Sequence, residues 1–357
     1  MRRPRISPDQ PPAWRAPALA VVVVAAGAGW VALGGEGAVR YTGVARVELP
    51  LPPPVTRLTA APAAPHAAPG PDPGAPHDAP GIAATSFDFS LLEDGPFGPL
   101  PRIGPDGRRP LFAYARPFNF EDPRPKVAVL VLGLGLRAAL FDAALALPGP
   151  IGLQLSPYAP DLPALVERAR GAGHEVLLAL PLEPADYPAS DPGPHTLLAD
   201  STRDENLKRL DWVLARAPGY VALAGDGGRF AASEHAAAAL DVLARRGLAL
   251  IELGASQLEH AAAAAGLPYA SAPHAIDQDP SALAIDFALA GLEAEALAQG
   301  SALGVAQDYP VSLERLRRWA ATLEDKGLVL APVSAVLIEQ SGLTRGAQTW
   351  PVRRPPA

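Results

Sequence analysis

The stretch that decides the fold runs from Lys126 to Leu136 and reads Lys-Val-Ala-Val-Leu-Val-Leu-Gly-Leu-Gly-Leu. Its apolar residues 127–133 follow Pro125 and precede a Gly-x-Gly turn, which is typical of a strand buried on both faces. Such a strand begins an α/β domain, in which ligands bind beyond the carboxyl ends of the strands. Residues 132–136 are therefore the first place to look for chemistry.

After this strand, short apolar runs alternate with amphipathic segments rich in Ala and Leu. The predicted strands are 127–133, 151–155, 175–180, 220–224, 248–252, 268–271, 302–306 and 328–331. The predicted helices are 137–146, 161–171, 203–216, 233–245, 255–265, 281–298 and 311–325. This alternation predicts parallel strands with helical crossovers. Seven or eight such units within residues 123–340 favour a closed, distorted β/α barrel.

Two helices carry start signals. Residues 201–204 read Ser-Thr-Arg-Asp and resemble a capping box, and Ser312 precedes Glu314. Both patterns predict that a hydroxyl side chain begins the helix.

The N-terminal segment has the charge pattern of a membrane anchor. Residues 1–15 carry four arginines, and the nineteen residues 16–34 carry no charge, which is about enough to span a bilayer. The basic tail then stays in the cytoplasm, which predicts an inner-membrane protein with its barrel in the periplasm. The alternative is a signal peptide cleaved near residues 25–28, which leaves the protein secreted or periplasmic.

Residues 35–122 are predicted to form a Pro/Ala-rich disordered linker followed by an irregular arm. Frequent Pro favours an extended spacer without a packed core. The arm, from residue 86 to residue 122, is predicted to pack on the barrel through its aromatic rings, with disorder as the alternative. These rings are Phe87, Phe89, Phe97, Phe112, Tyr114, Phe118 and Phe120. Residues 341–357 form a C-terminal tail.

Charge and composition exclude several classes of function. The net charge of -7 leaves no basic footprint for nucleic acid. The chain has no Cys, so a thiolate nucleophile, a disulfide and a Cys-ligated metal are all excluded.

The first motif with chemical meaning is the Gly133-x-Gly135-x-x-Ala138 turn, which fits the dinucleotide-binding fingerprint. That fingerprint needs an acidic residue about twenty positions later to bind the ribose. Residues 152–157 read Gly-Leu-Gln-Leu-Ser-Pro and contain no acid. The dinucleotide site is therefore the weaker interpretation.

A series of short motifs instead resembles the divergent polysaccharide deacetylase family of bacterial envelope proteins. The motifs occur at residues 147–150, 156–162, 171–176, 180–184, 191–198, 219–221, 228–230 and 331–335. The resemblance covers about residues 127–337. It implies a polysaccharide-deacetylase-like β/α barrel, an exported location and a role in carbohydrate metabolism. In active relatives it also implies metal-assisted removal of acyl groups from carbohydrate.

The residues that this chemistry requires are absent at the matching positions. The family's Asp-Asp-Leu-Gly motif corresponds to residues 132–135, so Leu132 and Gly133 replace its two carboxylates. Gly225 and Gln307 stand where the family has metal-binding His residues, and Ala179 replaces a further His. A divalent metal would polarise the acyl carbonyl and activate water, and neither Leu nor Gly offers it a ligand. Whether the chain is an enzyme is therefore left open.

Several acidic residues follow predicted strands. They are Glu183, Asp226, Glu252, Asp277 and Asp308. Asp226 and Asp308 lie nearest the lost metal positions and are the candidate catalytic or metal-binding substitutes; the other three are candidate ligand-binding residues. The alternative is that these acids cap helices or line a solvated rim.

Aromatic residues and histidines provide further candidates for ligand binding. Tyr158 and Tyr309 follow strands and would suit stacking on a sugar ring, and His195 lies on a Pro/Gly-rich loop. The helical spacing of Trp212 with Leu210 and Leu214 predicts that Trp212 lies in the core. His174, which precedes a strand, is predicted to have a structural role.

Two functional hypotheses follow. The first is an anchored, non-catalytic barrel without a cofactor that binds cell-wall glycan or another envelope protein. The second is an active carbohydrate deacetylase or hydrolase with a rearranged carboxylate site, in which Asp226 and Asp308 hold a divalent metal.

Overall fold

A nine-stranded parallel sheet dominates the structure, a computed structural model that describes residues 87–255 and 257–343. Its strands run in the order β8-β7-β6-β5-β4-β3-β10-β9, with β11 paired to the start of β3. The bounds are β3 Lys126–Leu134, β4 Gly152–Leu155, β5 Val176–Ala179, β6 Ala222–Asp226, β7 Leu250–Leu253, β8 Tyr269–Ala272, β9 His274–Ala275, β10 Ser301–Gln307 and β11 Val329–Leu330. Every strand predicted after residue 126 is present, with ends displaced by two residues at most.

The helices lie mainly between successive strands of this sheet. They are α1 Pro110–Ala113, α2 Ala138–Leu145, α3 Leu162–Gly171, α4 Arg203–Leu214, α5 Ala236–Arg245, α6 Glu259–Ala265, α7 Ala282–Gln299, α8 Pro310–Ala320 and α9 Val333–Gln340. A short antiparallel pair, β1 Leu92–Glu93 and β2 Leu100–Pro101, precedes them. The prediction of parallel strands with helical crossovers is confirmed.

The sheet curls into a nearly closed barrel because its two outermost strands adjoin in the chain. Only Pro273 separates β8, which pairs with β7, from β9, which pairs with β10. Proline cannot donate a ladder hydrogen bond, so it interrupts the pairing where the chain changes partners. At this edge the backbone of Tyr269 meets Ser341, whose Oγ accepts the Tyr269 N–H at 2.9 Å and lies 2.9 Å from the Tyr269 carbonyl oxygen.

Alternation along the strands divides the core into two layers. In β3, Val127, Val129 and Val131 pack against the surrounding helices, whereas Leu130 and Leu132 face the barrel interior. Successive side chains of a strand point to opposite faces, so a strand that is apolar throughout serves both layers. This explains the uninterrupted apolar run at residues 127–132.

The arm and α9 cover the amino-terminal end of the barrel. Leu91, Leu111 and Tyr114 of the arm are buried in the interior core, as is α9 from Val333 to Leu337. The arm therefore packs on the barrel, as predicted. Two of its rings do not take part, because Phe89 is 80% exposed and Phe97 is also exposed. Leucines supply much of the burial instead.

A buried carboxylate fastens both coverings to the barrel. Glu175, fully buried just before β5, accepts the Arg116 N–H at 2.8 Å and the Ser334 N–H at 2.9 Å. It also accepts the Ser334 hydroxyl at 2.5 Å. One side chain thus joins the arm, α9 and the start of β5.

The two predicted helix starts have different outcomes. At α4, Thr202 rather than Ser201 is the N-cap, and it forms a capping box with Glu205. At α8 the prediction is wrong, because the helix begins at Pro310 after Tyr309. Ser312 is buried inside the first turn and bonds to Asp277 instead.

Among residues 87–343, no helix is both long and apolar enough to cross a membrane. The predicted anchor at residues 16–34, the tail at 1–15 and most of the predicted linker lie outside the described residues.

Candidate functional site

The candidate site is the barrel mouth, formed where the parallel strands end at one rim. Strand β3 reaches this rim through a bulge: Val131 pairs with Leu153 and Leu134 with Leu155, so β3 holds one extra residue. Gly133, in the bulge, has a φ of +75°, which favours glycine. The bulge resets the alternation, so Leu134 packs with the outer helices.

Leu132 and Gly133 occupy the mouth where the resemblance places two carboxylates. Leu132 is 6% exposed and packs in the interior core with Leu130 and Val305. A Cβ added to Gly133 would lie 3.8 Å from Oε1 of Gln307. The end of β3 therefore lines the mouth with an apolar side chain and bare backbone.

A buried amide crosses the mouth beneath them. Gln154 of β4 accepts the Gly133 N–H at 3.3 Å and donates to the carbonyl of Ala224 on β6 at 2.9 Å. Gln154 is not among the candidate residues predicted from the sequence. The available signal was a single polar residue facing inward between Leu153 and Leu155, which pack outward.

The first remaining acid at the mouth, Asp277, is already hydrogen-bonded. Its Oδ2 accepts the Gln307 N–H at 2.9 Å and the Ser312 hydroxyl at 2.5 Å. Asp277 is buried. It fixes the end of β10 to the start of α8, which is a positioning role.

The second acid, Asp308, is buried beside Arg137, with which it forms an ion pair. Burial raises the pKa of Asp308, the Arg137 guanidinium opposes that rise, and the charge of Asp277 adds to it. The two buried carboxylates therefore lie close enough to influence each other. Asp308, one of the two predicted catalytic candidates, is thus buried at the mouth.

Gly225 and Asp226 end β6, where the resemblance to the family implies a histidine. A Cβ on Gly225 would lie 2.5 Å from the carbonyl oxygen of Leu180 and 3.3 Å from the Leu180 Cβ. Asp226 is exposed and accepts the Gly228 N–H at 3.1 Å. The close approach of β5 thus leaves no room for a side chain at residue 225.

The carboxylates of Glu183 and Glu252 are hydrogen-bonded to other residues of the protein. Glu183 is buried and accepts the Ala199 N–H at 2.6 Å and an Arg229 Nη1–H at 2.5 Å. Glu252 lies on the outer side of β7, because Ile251 faces inward. Its carboxylate accepts the Leu258 N–H at 2.9 Å and the Tyr269 hydroxyl at 2.6 Å. Both acids are buried and hold loops in place.

Tyr158, His195 and Trp212 form an aromatic group at half-buried positions. The His195 and Trp212 rings stack with centroids 3.6 Å apart. The Tyr158 hydroxyl accepts the backbone N–H of His195 at 3.1 Å. Burial, with Arg209 and Arg216 nearby, lowers the pKa of His195. Trp212, which was predicted to lie in the core, is half-buried and stacks against the His195 ring. Tyr309 lies apart from this group, beside Asp308, and is 40% exposed.

His174 has the structural role that the sequence predicts. It is fully buried, with Nδ1 2.8 Å from the Ile151 carbonyl and Nε2 3.4 Å from that of Leu145. Burial lowers its pKa, so the neutral ring is favoured in the folded chain.

We expect His174 to make the stability of the fold depend on pH. Between its lowered pKa and the unfolded value of about 6.5, the unfolded chain binds more protons, so the free energy of unfolding rises with pH, by at most about 1.4 kcal/mol per pH unit. Urea unfolding from pH 5 to 7.5 should show a shallower rise for His174→Gln than for the unchanged chain. Equal slopes would contradict this role. The exposed His260→Gln is the matched control.

The donor set at the mouth does not fit a divalent metal. Leu132, Gly133 and Gly225 offer no side-chain ligand, and Asp277 and Asp308 are engaged by donors of the chain itself. In the described part of the chain, no three His, Asp or Glu side chains are grouped so as to hold a metal ion.

A family model and solved structures match this chain. The family model for divergent polysaccharide deacetylases matches residues 129–337. The crystal structure of an uncharacterized protein from Agrobacterium tumefaciens C58 is 33% identical, covers 67% of this chain and 99% of its own, and has a TM-score of 0.63.

A second solved structure is the catalytic domain of a peptidoglycan N-acetylglucosamine deacetylase from Eubacterium rectale ATCC 33656. It is 11% identical, covers 61% of this chain and 92% of its own, and has a TM-score of 0.37, a likeness too weak to bear on function. No curated protein matches the chain.

Proposed function

Because the chain belongs to the divergent polysaccharide deacetylase family, we propose that its barrel kept the family's scaffold, lost metal-assisted deacetylation and now binds a cell-wall glycan. The donor set at the mouth supports this most directly. Leu132 and Gly133 stand at the end of β3, and the two buried acids are paired within the chain. Metal-assisted deacetylation needs open ligands at this rim.

Groups suited to a neutral sugar remain at the same rim. The Gln307 side chain is exposed at the end of β10, and the exposed ring of Tyr309 follows two residues later. An amide donates and accepts hydrogen bonds, and an aromatic face packs on the apolar side of a sugar ring. A glycan is therefore favoured over an envelope protein as the partner.

The N-terminal residues fit this role. An uncharged segment at residues 16–34 after a basic tail would anchor the chain in the inner membrane. The linker would then let the barrel reach the cell wall from the periplasmic side. Cleavage of the segment as a signal peptide would place the same barrel free in the periplasm.

One feature favours the alternative of an active hydrolase. Burial and a neighbouring carboxylate raise the pKa of Asp308, and perturbed acids are frequent in catalytic sites. In such an enzyme, Asp308 would have to break its ion pair with Arg137. It would then act together with Asp226 on a metal ion or a water molecule in a rearranged site.

Metal analysis and an acetate assay separate these two functions. We expect the purified full-length chain, incubated with Zn²⁺ or Mn²⁺ and desalted, to hold no stoichiometric metal and to release no acetate from N-acetylated chitooligosaccharides. Acetate release that is lost in Asp308→Asn and in Asp226→Asn would establish the active hydrolase instead.

Binding to the same oligosaccharides, measured by calorimetry, tests the second half of the proposal. Loss of the Tyr309 ring in Tyr309→Ala should weaken binding about two- to tenfold, because an aromatic contact contributes about 0.5–1.5 kcal/mol. Phe89→Ala removes an exposed ring from the arm and is the matched control. Equal affinity of the Tyr309 variant and the unchanged chain would rule out the mouth as the glycan site. Retention of an envelope protein without glycan binding would favour the other partner.

A further inference from the structure

The outer face of α7 exposes an apolar stripe. Its inner face buries Ile285, Leu289 and Leu292 against the barrel, yet Leu283 is 82% and Phe287 83% exposed. The α7 stripe consists of Leu283, Phe287, Ala290, Gly291, Ala294, Leu297 and Ala298, all of them exposed. A helix that is apolar all round is normally covered on both faces. Large exposed apolar patches mark interaction sites.

The spacing of the α7 stripe is that of a helix-pairing seam. From Leu283 its members recur after four, three, four and three residues, at positions 287, 290, 294 and 297. This 4-3-4-3 repeat holds one face toward a neighbouring helix. The stripe runs nearly the full length of α7, from Ala282 to Gln299.

No charge interrupts the stripe, and the acids on its flanks already have partners. Glu293 is bound by Lys326 at 2.5 Å, and Glu295 by His274 at 2.5 Å. Asp286 is paired with Arg315. A second copy of the stripe would therefore meet neither a free like charge nor an unpaired polar side chain on this face.

We infer that the α7 stripe binds the α7 stripe of a second copy of this chain in an antiparallel pair. The first half of the stripe holds the large residues Leu283 and Phe287, and its second half is small except for Leu297. About a two-fold axis near Ala290 and Gly291, Phe287 of one copy faces Ala294 of the other, and Leu283 faces Ala298. Large side chains thus meet small ones, as a self-complementary two-fold contact requires. In a parallel pair, Phe287 of one copy would face Phe287 of the other, and a gap would remain between the alanines.

The size of the stripe limits the strength of this dimer. An 18-residue helix is about 27 Å long and about 10 Å wide, so two copies would together bury on the order of 600–1,000 Å². That lies below the about 1,200 Å² of stable specific interfaces and in the range of weak, transient ones. We therefore expect a weak dimer, which covalent trapping can detect.

The absence of Cys from the chain makes the test direct. The Ala290→Cys variant places one thiol beside the two-fold axis, within disulfide reach of its counterpart if the helices pair. Mild oxidation of the full chain at about 10 µM, followed by non-reducing electrophoresis, should give at least about tenfold more covalent dimer than Ala143→Cys. Ala143 is an exposed alanine of α2 and the matched control.

Two further variants test the surface and the direction of the pair. Phe287→Asp added to Ala290→Cys should remove the covalent dimer; because Phe287 is exposed, the fold should be unaffected, and circular dichroism checks this. Leu283→Cys should not cross-link, since the antiparallel pair holds its two copies far apart. Cross-linking of Ala290→Cys no greater than that of Ala143→Cys would overturn the dimer, whereas efficient cross-linking of Leu283→Cys would overturn its antiparallel direction.

Discussion

Replacing Glu175 by Ala should lower the free energy of unfolding by about 3–5 kcal/mol. The carboxylate is fully buried and accepts three hydrogen bonds, from the Arg116 N–H and from the N–H and hydroxyl of Ser334. Alanine would leave these donors buried without a partner and would open a cavity among them. Urea unfolding of the purified chain, followed by circular dichroism, measures the loss.

The control for Glu175→Ala is Glu167→Ala, which removes the same carboxylate from an exposed position on α3. Its effect should stay within about 0.5 kcal/mol. If both variants were equally stable, Glu175 would not hold the arm and α9 to the barrel. Glu175→Gln keeps one acceptor oxygen and should fall between the two.

Replacing Gly225 by Ala should lower the free energy of unfolding by about 1–3 kcal/mol, the usual effect of overpacking. The added Cβ would lie 2.5 Å from the Leu180 carbonyl oxygen, and that oxygen belongs to backbone that cannot rotate away. Gly225→His, which introduces the histidine that the resemblance implies, should lower the free energy of unfolding further and should bind no metal. The same urea titration, with metal analysis of the histidine variant, measures both effects.

Asp226→Ala is the control for Gly225→Ala, because it changes the adjacent residue at an exposed position. It should alter stability by about 0.5 kcal/mol at most. If Gly225→His were as stable as the unchanged chain and bound Zn²⁺, the metal site would have been lost by substitution alone and the scaffold would still accept it. The close approach of Leu180 predicts the opposite.

The barrel could be predicted from sequence because its strands are buried on both faces and bounded by Pro and Gly. Residues 127–133 show this most clearly, and the observed β3 extends them by one residue at each end. Helix α9 could not be found in the same way. Val333 to Ile338 are all buried, so no period separates one face from another.

The candidate site was less accessible to sequence, because its geometry depends on a bulge and on distant partners. One extra residue in β3 turns Leu134 outward, although simple alternation places it with Leu132. Asp277 and Ser312, 35 residues apart, meet only through the fold. By contrast, the predicted ends of the strands were sufficient to place Leu132, Gly133 and Gln307 at the rim.

The contact between Ser341 and Tyr269 has a consequence for solubility. An unpaired strand edge offers its N–H and C=O groups to strands of other molecules and so promotes aggregation. At Tyr269, one serine hydroxyl lies within hydrogen-bond distance of both groups, and Pro273 ends the strand shortly afterwards. The Ser341 side chain, which follows α9, thus lies where an intermolecular strand would otherwise bind.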